Sequence, residues 1–204
     1  MMQIVECEQG SEEWRAARSG IPTASEFATV MAKGEGKTRR TYMLKLVGEI
    51  LTGEPMESYT NVHMERGKIM EDEARDLYAL VRDVEPVRVG FIRNGAAGCS
   101  PDSLIDANGG LEIKTALPHI QVDRLLKGEM PPEHRAQVQG SIWLAEREWW
   151  DFVSYWQKLP PLIVRIPRDN GYIANLTGEV ARFNDELAET VERIRRYGQM
   201  EQAA

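Results

Sequence analysis

The chain has 204 residues, of which 28% are charged and 42% hydrophobic, with a formal net charge of −7. These are the size and composition of one ordinary globular domain with a substantial core, so residues 1–204 are expected to form a single domain. No apolar run approaches membrane-spanning length and no basic-then-apolar signal peptide opens the chain. Cys7 and Cys99 have neither zinc spacing nor the density of a disulfide scaffold, so a reduced, cytoplasmic protein is expected.

In chain order, Ser11 caps a short helix running to about Arg18, with Glu12 and Glu13 favourably placed in its first turn. Thr23-Ala24-Ser25-Glu26 has the form of a capping box opening a second helix, which Lys33-Gly34-Glu35-Gly36-Lys37 breaks. Apolar spacing of three and four residues predicts longer amphipathic helices over 39–51 and 63–81. Strands follow near 84–92, 99–105 and 111–115. Pro131-Pro132 starts a helix over 133–145, then 149–156 and 162–166 return to strand before a terminal helix at roughly 177–197. There is no internal repeat and no long linker. The economical outcome is an α/β fold, a sheet flanked by helices.

The densest chemistry lies in Ser100-Pro101-Asp102 followed by Leu111-Glu112-Ile113-Lys114. Asn108-Gly109-Gly110 is a turn signal between two β-prone runs. With those three residues as the loop, Ala107 pairs with Leu111, Asp106 with Glu112, Leu104 with Lys114 and Asp102 with Ala116. Side chains alternate along a strand, so Asp102, Glu112 and Lys114 then share one face, whereas a two-residue loop would flip one set away. Two carboxylates on one face suit Mg²⁺ or Mn²⁺, which keep waters for a substrate to displace. A lysine beside such an ion can orient or help deprotonate a water and stabilise charge on a phosphoryl group. This is the Asp…Glu-x-Lys arrangement of PD-(D/E)XK nucleases. The plainer alternative is a surface hairpin with an ordinary cross-strand ion pair.

Other motifs bear on that choice. Gln9-Gly10-Ser11-x-x-Trp14-x-x-x-Arg18-x-Gly20-x-x-Thr23-Ala24-Ser25-Glu26 is followed by Gly67-Lys68-x-x-Glu71-x-x-Ala74-Arg75 and Cys99-Ser100-Pro101-Asp102. Leu111-Glu112-x-Lys114 and Ala136-Gln137-Val138-Gln139-x-Ser141-x-Trp143 complete the order. Together they resemble the bacteriophage lambda exonuclease family of phage recombination nucleases, from about Gln9 to Trp156. The resemblance implies a restriction-endonuclease-like PD-(D/E)XK fold with a central mixed sheet flanked by helices. It also implies a phage or prophage origin. The implied activity is a metal-dependent 5′-to-3′ exonuclease that degrades one strand of duplex DNA from a 5′-phosphorylated end. Its products would be 5′-mononucleotides and a 3′ single-stranded overhang. Partners implied are double-stranded DNA ends, two further copies in a ring-shaped trimer, and a single-strand annealing protein. Two cysteines are too few for the iron–sulfur branch of the superfamily.

Carried over residue by residue, the resemblance makes Asp102, Glu112 and the Ile113 carbonyl ligands of Mg²⁺, with Lys114 positioning or activating the water. Glu71 would help hold a second ion or the attacking water. In helical register Gly67, Glu71 and Arg75 share a face; the alternative for Glu71 is a solvated carboxylate beside Asp72 and Glu73. Gln137 and Gln139 lie about 200° apart around a helix, so both cannot face one site. The family match puts Gln137 in the site, holding the scissile phosphate or a water on the metal, while Gln139 shares a face with Trp143 and packs. Arg18 beside a helix start at Ser25 can bind phosphate, and in the family these positions line the 5′-phosphate pocket. Met64 stands where the family has an apolar wedge between bases; a core role is the alternative.

The net charge does not exclude DNA, because affinity depends on where cations sit. Lys33, Lys37, Arg39, Arg40 and Lys45 form a basic stretch opposed only by Glu35, whereas acid gathers in Glu179, Asp185, Glu186, Glu189 and Glu192. Trp149, Trp150 and Trp156 are expected in the core. His63, His119 and His134 show no metal spacing, and Cys99 reads as a buried strand residue. Departures from the family pattern include Ser103 after Asp102, where glycine is frequent, and the Lys33–Arg40 loop. Two other functions compete: a restriction-like endonuclease on the same fold, and a catalytically silent DNA-end-binding module that recruits an annealing protein. The complete set Asp102, Glu112 and Lys114 argues against the second, which has no chemical need of all three.

Overall fold

The computed structural model describes residues 1–32, 36–56 and 62–200, with side chains placed outside 62–68 and 198–200. Its first element, β1 (Met2–Val5), carries no sequence signal of its own; four residues show no usable periodicity, and the strand exists because a later one pairs with it. Helix α1 (Glu12–Arg18) starts where expected, the Ser11 hydroxyl accepting from Trp14 N. The expected capping box does not form: Thr23 makes no side-chain cap bond, and Glu26 Oε2 accepts from Thr29 Oγ1 instead. Residues Ala24–Glu26 make one 3₁₀ turn that leads into the single turn α2 (Phe27–Val30). Helices α3 (Lys37–Thr52) and α4 (Val62–Arg82) match the apolar spacing, α3 ending on Gly53 in the left-handed conformation that glycine favours.

The expected strand at 84–92 shrinks to β2 (Phe91–Asn94). Upstream of it Gly90 passes so close to Cys7 that a Cβ would lie 2.2 Å from the Cys7 carbonyl oxygen. The expected strand at 99–105 is two, β3 (Ala97–Cys99) and β4 (Ser103–Ile105). Pro101 between them has no N–H for a ladder, and the break leaves Ser100-Pro101-Asp102 free to project from the sheet. β5 (Gly109–Thr115) is followed by α5 (Pro118–Lys127), an element without a counterpart in the sequence reading, and α6 (Arg135–Leu144). β6 (Trp149–Tyr155) and β7 (Leu162–Pro167) come next, and α7 (Asn170–Met200) starts seven residues earlier than expected. Its early start is set by Asp169, whose Oδ1 accepts from Tyr172 N.

Strands β1-β2-β3 form one antiparallel sheet and β4-β5-β6-β7 a second, mixed one in which β5 and β6 run parallel. Parallel neighbours require a crossover, and α5 and α6 supply it. Helix α6 is nearly all interior: Ala136, Val138, Ile142 and Leu144 join Phe27, Trp150 and Phe152 in the main core. Gly140 lets α2 lie against it, since a Cβ there would meet the Phe27 ring at 2.3 Å. On the opposite side of the mixed sheet, Ala74 and Tyr78 of α4 pack on Ile105, Leu111, Ile113 and Val153. The result is a mixed sheet with helices on both sides, as expected. Among the described residues no helix is long and apolar enough to cross a membrane.

Candidate active site

The β4–β5 hairpin differs from its expected register in a way that tightens the site. Leu111 pairs with Ser103 rather than Ala107, Leu104 with Gly110 and Ile105 with Gly109, so the loop is Asp106-Ala107-Asn108. Gly109 and Gly110 belong to the strand because tryptophan rings cover them. A Cβ on Gly109 would lie 2.2 Å from the Trp149 ring, and one on Gly110 2.2 Å from the Trp150 ring. The turn falls instead on Asp106, which takes the left-handed conformation at φ 45°. The displacement is an even number of residues, so no side chain changes face. Asp102 lies in the bend just before β4, outside the ladder, and meets β5 through its side chain at Ile113, not at Ala116.

Asp102 Oδ2 accepts from the Ile113 N–H, which has no strand partner because β4 begins only at Ser103. In an extended strand a residue's N–H and C=O point to the same edge, so the Ile113 carbonyl lies on the Asp102 side. Glu112 is 3% exposed. Its Oε1 receives Lys114 Nζ at 2.7 Å and Gln137 Nε2 at 2.6 Å. Burial, then the charges of Glu112 and Glu71, push the Asp102 carboxyl well above the usual range. Burial works against the Lys114 ammonium, but Glu112 and Asp102 outweigh it and hold its pKa above the ordinary value. Gln139 faces elsewhere: its amide bonds Pro167 O and Asp169 N, tying α6 to the start of α7.

Both bonds to Glu112 fall on Oε1, and buried Oε2 has no hydrogen-bond partner. An orphaned buried carboxylate oxygen is costly unless something positive completes it. Asp102, Glu112 and the Ile113 carbonyl form a hard oxygen donor set suited to Mg²⁺ or Mn²⁺, with positions left for water and substrate. Among the described residues no group of three or more His, Cys, Asp or Glu side chains gathers at one metal-sized point. Two carboxylates and a carbonyl are therefore the set available.

Glu71 reaches the same region from α4. It shares a cleft of about 470 Å³ with Asp102, Gln9 and Arg75, and Arg75 Nη2 lies 2.6 Å from its Oε1. Arg18 donates to Ser100 Oγ at 3.1 Å and lies 4.0 Å over the Trp14 ring, whose Nε1 donates to the same Ser100 Oγ at 2.9 Å. Arg18, Trp14, Thr23, Lys37, Tyr42 and Lys45 line a second cavity of about 500 Å³. Ser25 is exposed, with Oγ 3.3 Å from Thr23 Oγ1 at the rim of that cavity; no bond joins it to Arg18 among the described residues. Of the basic stretch, Arg39 is consumed internally, paired through both Nη atoms with Glu186 at 2.7 and 3.0 Å and stacked on Phe183. Met64 lies near the start of α4, and its side chain falls outside the described ones; Lys33 lies outside the described residues.

Sequence reasoning assigned no role to Ser100, Arg75 or His134. The signal for Ser100 was its place just before Pro101-Asp102. His134 stacks on Phe152, and its Nε2 accepts from Arg124 Nη2 at 3.3 Å. Burial, then the Lys114 and Arg124 charges, lower its pKa to about 4. Arg165, on the far side of the mixed sheet, clamps fully buried Asp151 with two bonds of 2.9 Å.

Residues 13–148 match the model of the YqaJ-like viral recombinase domain. Two solved structures, LHK-Exo in complex with dAMP and the alkaline exonuclease LHK-Exo from Laribacter hongkongensis, are each 34% identical to this chain. Each match covers 93% of this chain and 99% of the other, with a TM-score of 0.86. A phage-related exonuclease from Haemophilus somnus is 14% identical, with a TM-score of 0.65 over 85% of this chain and 96% of its own, which shows the fold alone. No curated protein sequence matches the chain.

Proposed function

Since this chain belongs to the YqaJ-like viral recombinase family, we propose that it is a divalent-metal-dependent exonuclease that removes 5′-mononucleotides from one strand of duplex DNA, starting at a 5′-phosphorylated end. The observation that carries this reading is the Glu112 carboxylate, held by Lys114 and Gln137 on one oxygen and left with its other, buried oxygen unpartnered beside Asp102. Asp102, Glu112 and the Ile113 carbonyl would hold the Mg²⁺ or Mn²⁺. Such an ion, when bound, supplies Lewis-acid stabilisation of charge on the phosphoryl oxygens.

The chain's own groups do the rest. Lys114, kept as an ammonium by Glu112 and Asp102, orients the attacking water and neutralises charge that builds on the phosphate. Glu71 stands across the cleft as a second carboxylate for that water. Gln137 presents its amide from α6 and locks the Glu112 rotamer. Water oxygen bonds to phosphorus as the bond to the 3′-oxygen breaks; the proton passes to that oxygen, and the shortened strand keeps a new 5′-phosphate. Arg18, with Ser100 and the rim residue Ser25, receives the terminal phosphate, which limits the enzyme to ends without reading sequence. Met64 is proposed as the strand-separating wedge. The wider reading includes a homotrimeric ring around DNA and an annealing protein that takes the 3′ overhang.

The decisive experiment uses linear duplex DNA with 5′-phosphate or 5′-hydroxyl ends, in Mg²⁺ or in EDTA. Mononucleotide release from one strand, faster from the phosphorylated end and abolished by EDTA, is expected. Degradation indifferent to the end removes the Arg18 pocket, and cutting of closed circular duplex favours an endonuclease. End binding with no Mg²⁺-dependent degradation leaves only the silent end-binding module.

A further inference from the structure

Glu71 does not stand alone on its helix. Arg75, one turn along α4, is 6% exposed, and each of its three guanidinium nitrogens has a partner. Nη2 meets Glu71 Oε1 at 2.6 Å, Nη1 meets Asp72 Oδ1 at 2.7 Å, and Nε donates to Ser103 Oγ at 3.1 Å. Ser103 is fully buried and donates in turn to the Asp102 carbonyl oxygen. One side chain thus runs from a carboxylate on the helix to the backbone of a carboxylate that precedes the strand. Glu71, Arg75 and Asp102 line the same cleft.

The connections are not equivalent. Asp72 is also held by Arg88 at 2.6 Å, so it keeps an ion pair without Arg75. Among the described residues, Glu71 has Arg75 as its one hydrogen-bonding partner. A carboxylate whose side chain is 32% exposed turns to water when nothing fixes it, because side-chain rotamer freedom opposes any single geometry. A guanidinium suits this task and an ammonium does not. Its planar fork donates in several fixed directions at once and stays charged when buried.

Resting on the nuclease function proposed above, we propose that Arg75 is a positioning residue for that reaction: it fixes the Glu71 carboxylate in the cleft and, through Ser103, ties it to the backbone of Asp102. The acid on α4 and the acid before β4 then move as one unit. The hydroxyl of Ser103, the residue after the aspartate, supplies the link.

The test is a double-mutant cycle on the full chain. Wild type, Glu71→Ala, Arg75→Ala and the double variant are compared for kcat and KM on 5′-phosphorylated linear duplex in Mg²⁺. Alongside, thermal midpoints and end binding in EDTA are followed by fluorescence anisotropy. Arg75→Ala is expected to lower kcat at least tenfold while KM and end binding stay within about twofold. In the Glu71→Ala background the same change is expected to lower kcat less than twofold further. Additive losses in kcat would overturn the proposal, as would a loss of end binding in EDTA, which would make Arg75 a direct phosphate contact. Arg75→Lys covers the case in which alanine unfolds the protein. It keeps the charge but cannot hold Glu71 and Ser103 together, so a smaller kcat loss with the same non-additivity is expected, and full activity would overturn the proposal. An inactive wild type removes the nuclease function itself; an active one with additive losses removes only the role of Arg75.

Discussion

His134 shows how one residue takes its properties from neighbours far away in sequence. It stacks on Phe152 of β6 and lies near enough to Lys114 and Arg124 for their charges to add to the effect of burial, which together lower its pKa to about 4. The unfolded chain binds that proton near the ordinary value of about 6.5. Between those two values the unfolded state holds more protons than the folded one, so acidification from about pH 6.5 towards 4 destabilises the fold, and below that window the effect is complete. His134→Gln removes the titration while keeping a hydrogen-bonding group near Arg124. The urea midpoint of the variant is expected to fall less than that of wild type between pH 7 and 5. Equal falls would show that His134 plays no part. Glu112 makes the same point about context: among the described residues, its buried, one-sided hydrogen bonding distinguishes it from the other glutamates.

At the scale of the element, β5 shows packing overriding turn propensity. Asn108-Gly109-Gly110 is a good turn by composition, yet Trp149 and Trp150 lie over the two glycines and draw them into the ladder. Gly110→Ala would drive a methyl into the fully buried Trp150 ring. Overpacking of this kind costs about 1–3 kcal/mol, and the change bears on the β4–β5 register, since Gly110 pairs with Leu104 two residues after Asp102. Gly178→Ala is the contrast. It sits on the exposed face of α7 with nothing within 4 Å of a Cβ, and replacing a helical glycine is expected to be neutral or to stabilise by up to about 1 kcal/mol. Denaturant midpoints of the two variants decide this, and a harmless Gly110→Ala would show that the rings do not set the register. Arg39 is a second case. Its position in the basic stretch suggested DNA, but its fork holds Glu186 and so joins α3 to α7.

At the scale of the whole molecule, the net charge of −7 coexists with a cavity that gathers Arg15, Arg18, Lys37 and Lys45. DNA affinity follows such local concentrations of cations more than the total. The proposed ring makes a direct prediction. Sedimentation equilibrium at micromolar concentration is expected to give three times the 23.1 kDa chain mass, and a monomer would remove the ring from the reading.

The sequence by itself marked the residues that gather at the candidate site and most of the elements. Glu112 and Lys114 on one face followed from strand alternation, a property of the backbone that survives a register error of an even number of residues, whereas Asp102 reaches them from the bend before β4 rather than from the ladder. That Gln137 and Gln139 cannot both face one site followed from helical angle, and the choice of Gln137 from the family resemblance; the structure turns Gln137 to Glu112 and Gln139 to Pro167. The Ser11 cap and the long helices were legible because their signals are local. What only the tertiary structure decided depends on residues distant in the chain. β1 exists because β2 pairs with it, Ser100 matters because Trp14 and Arg18 converge on it, and Arg75 matters because β4 places Ser103 beneath it. Periodicity reports which way a side chain points along its own element; which atoms it meets there is fixed only when another element packs against it.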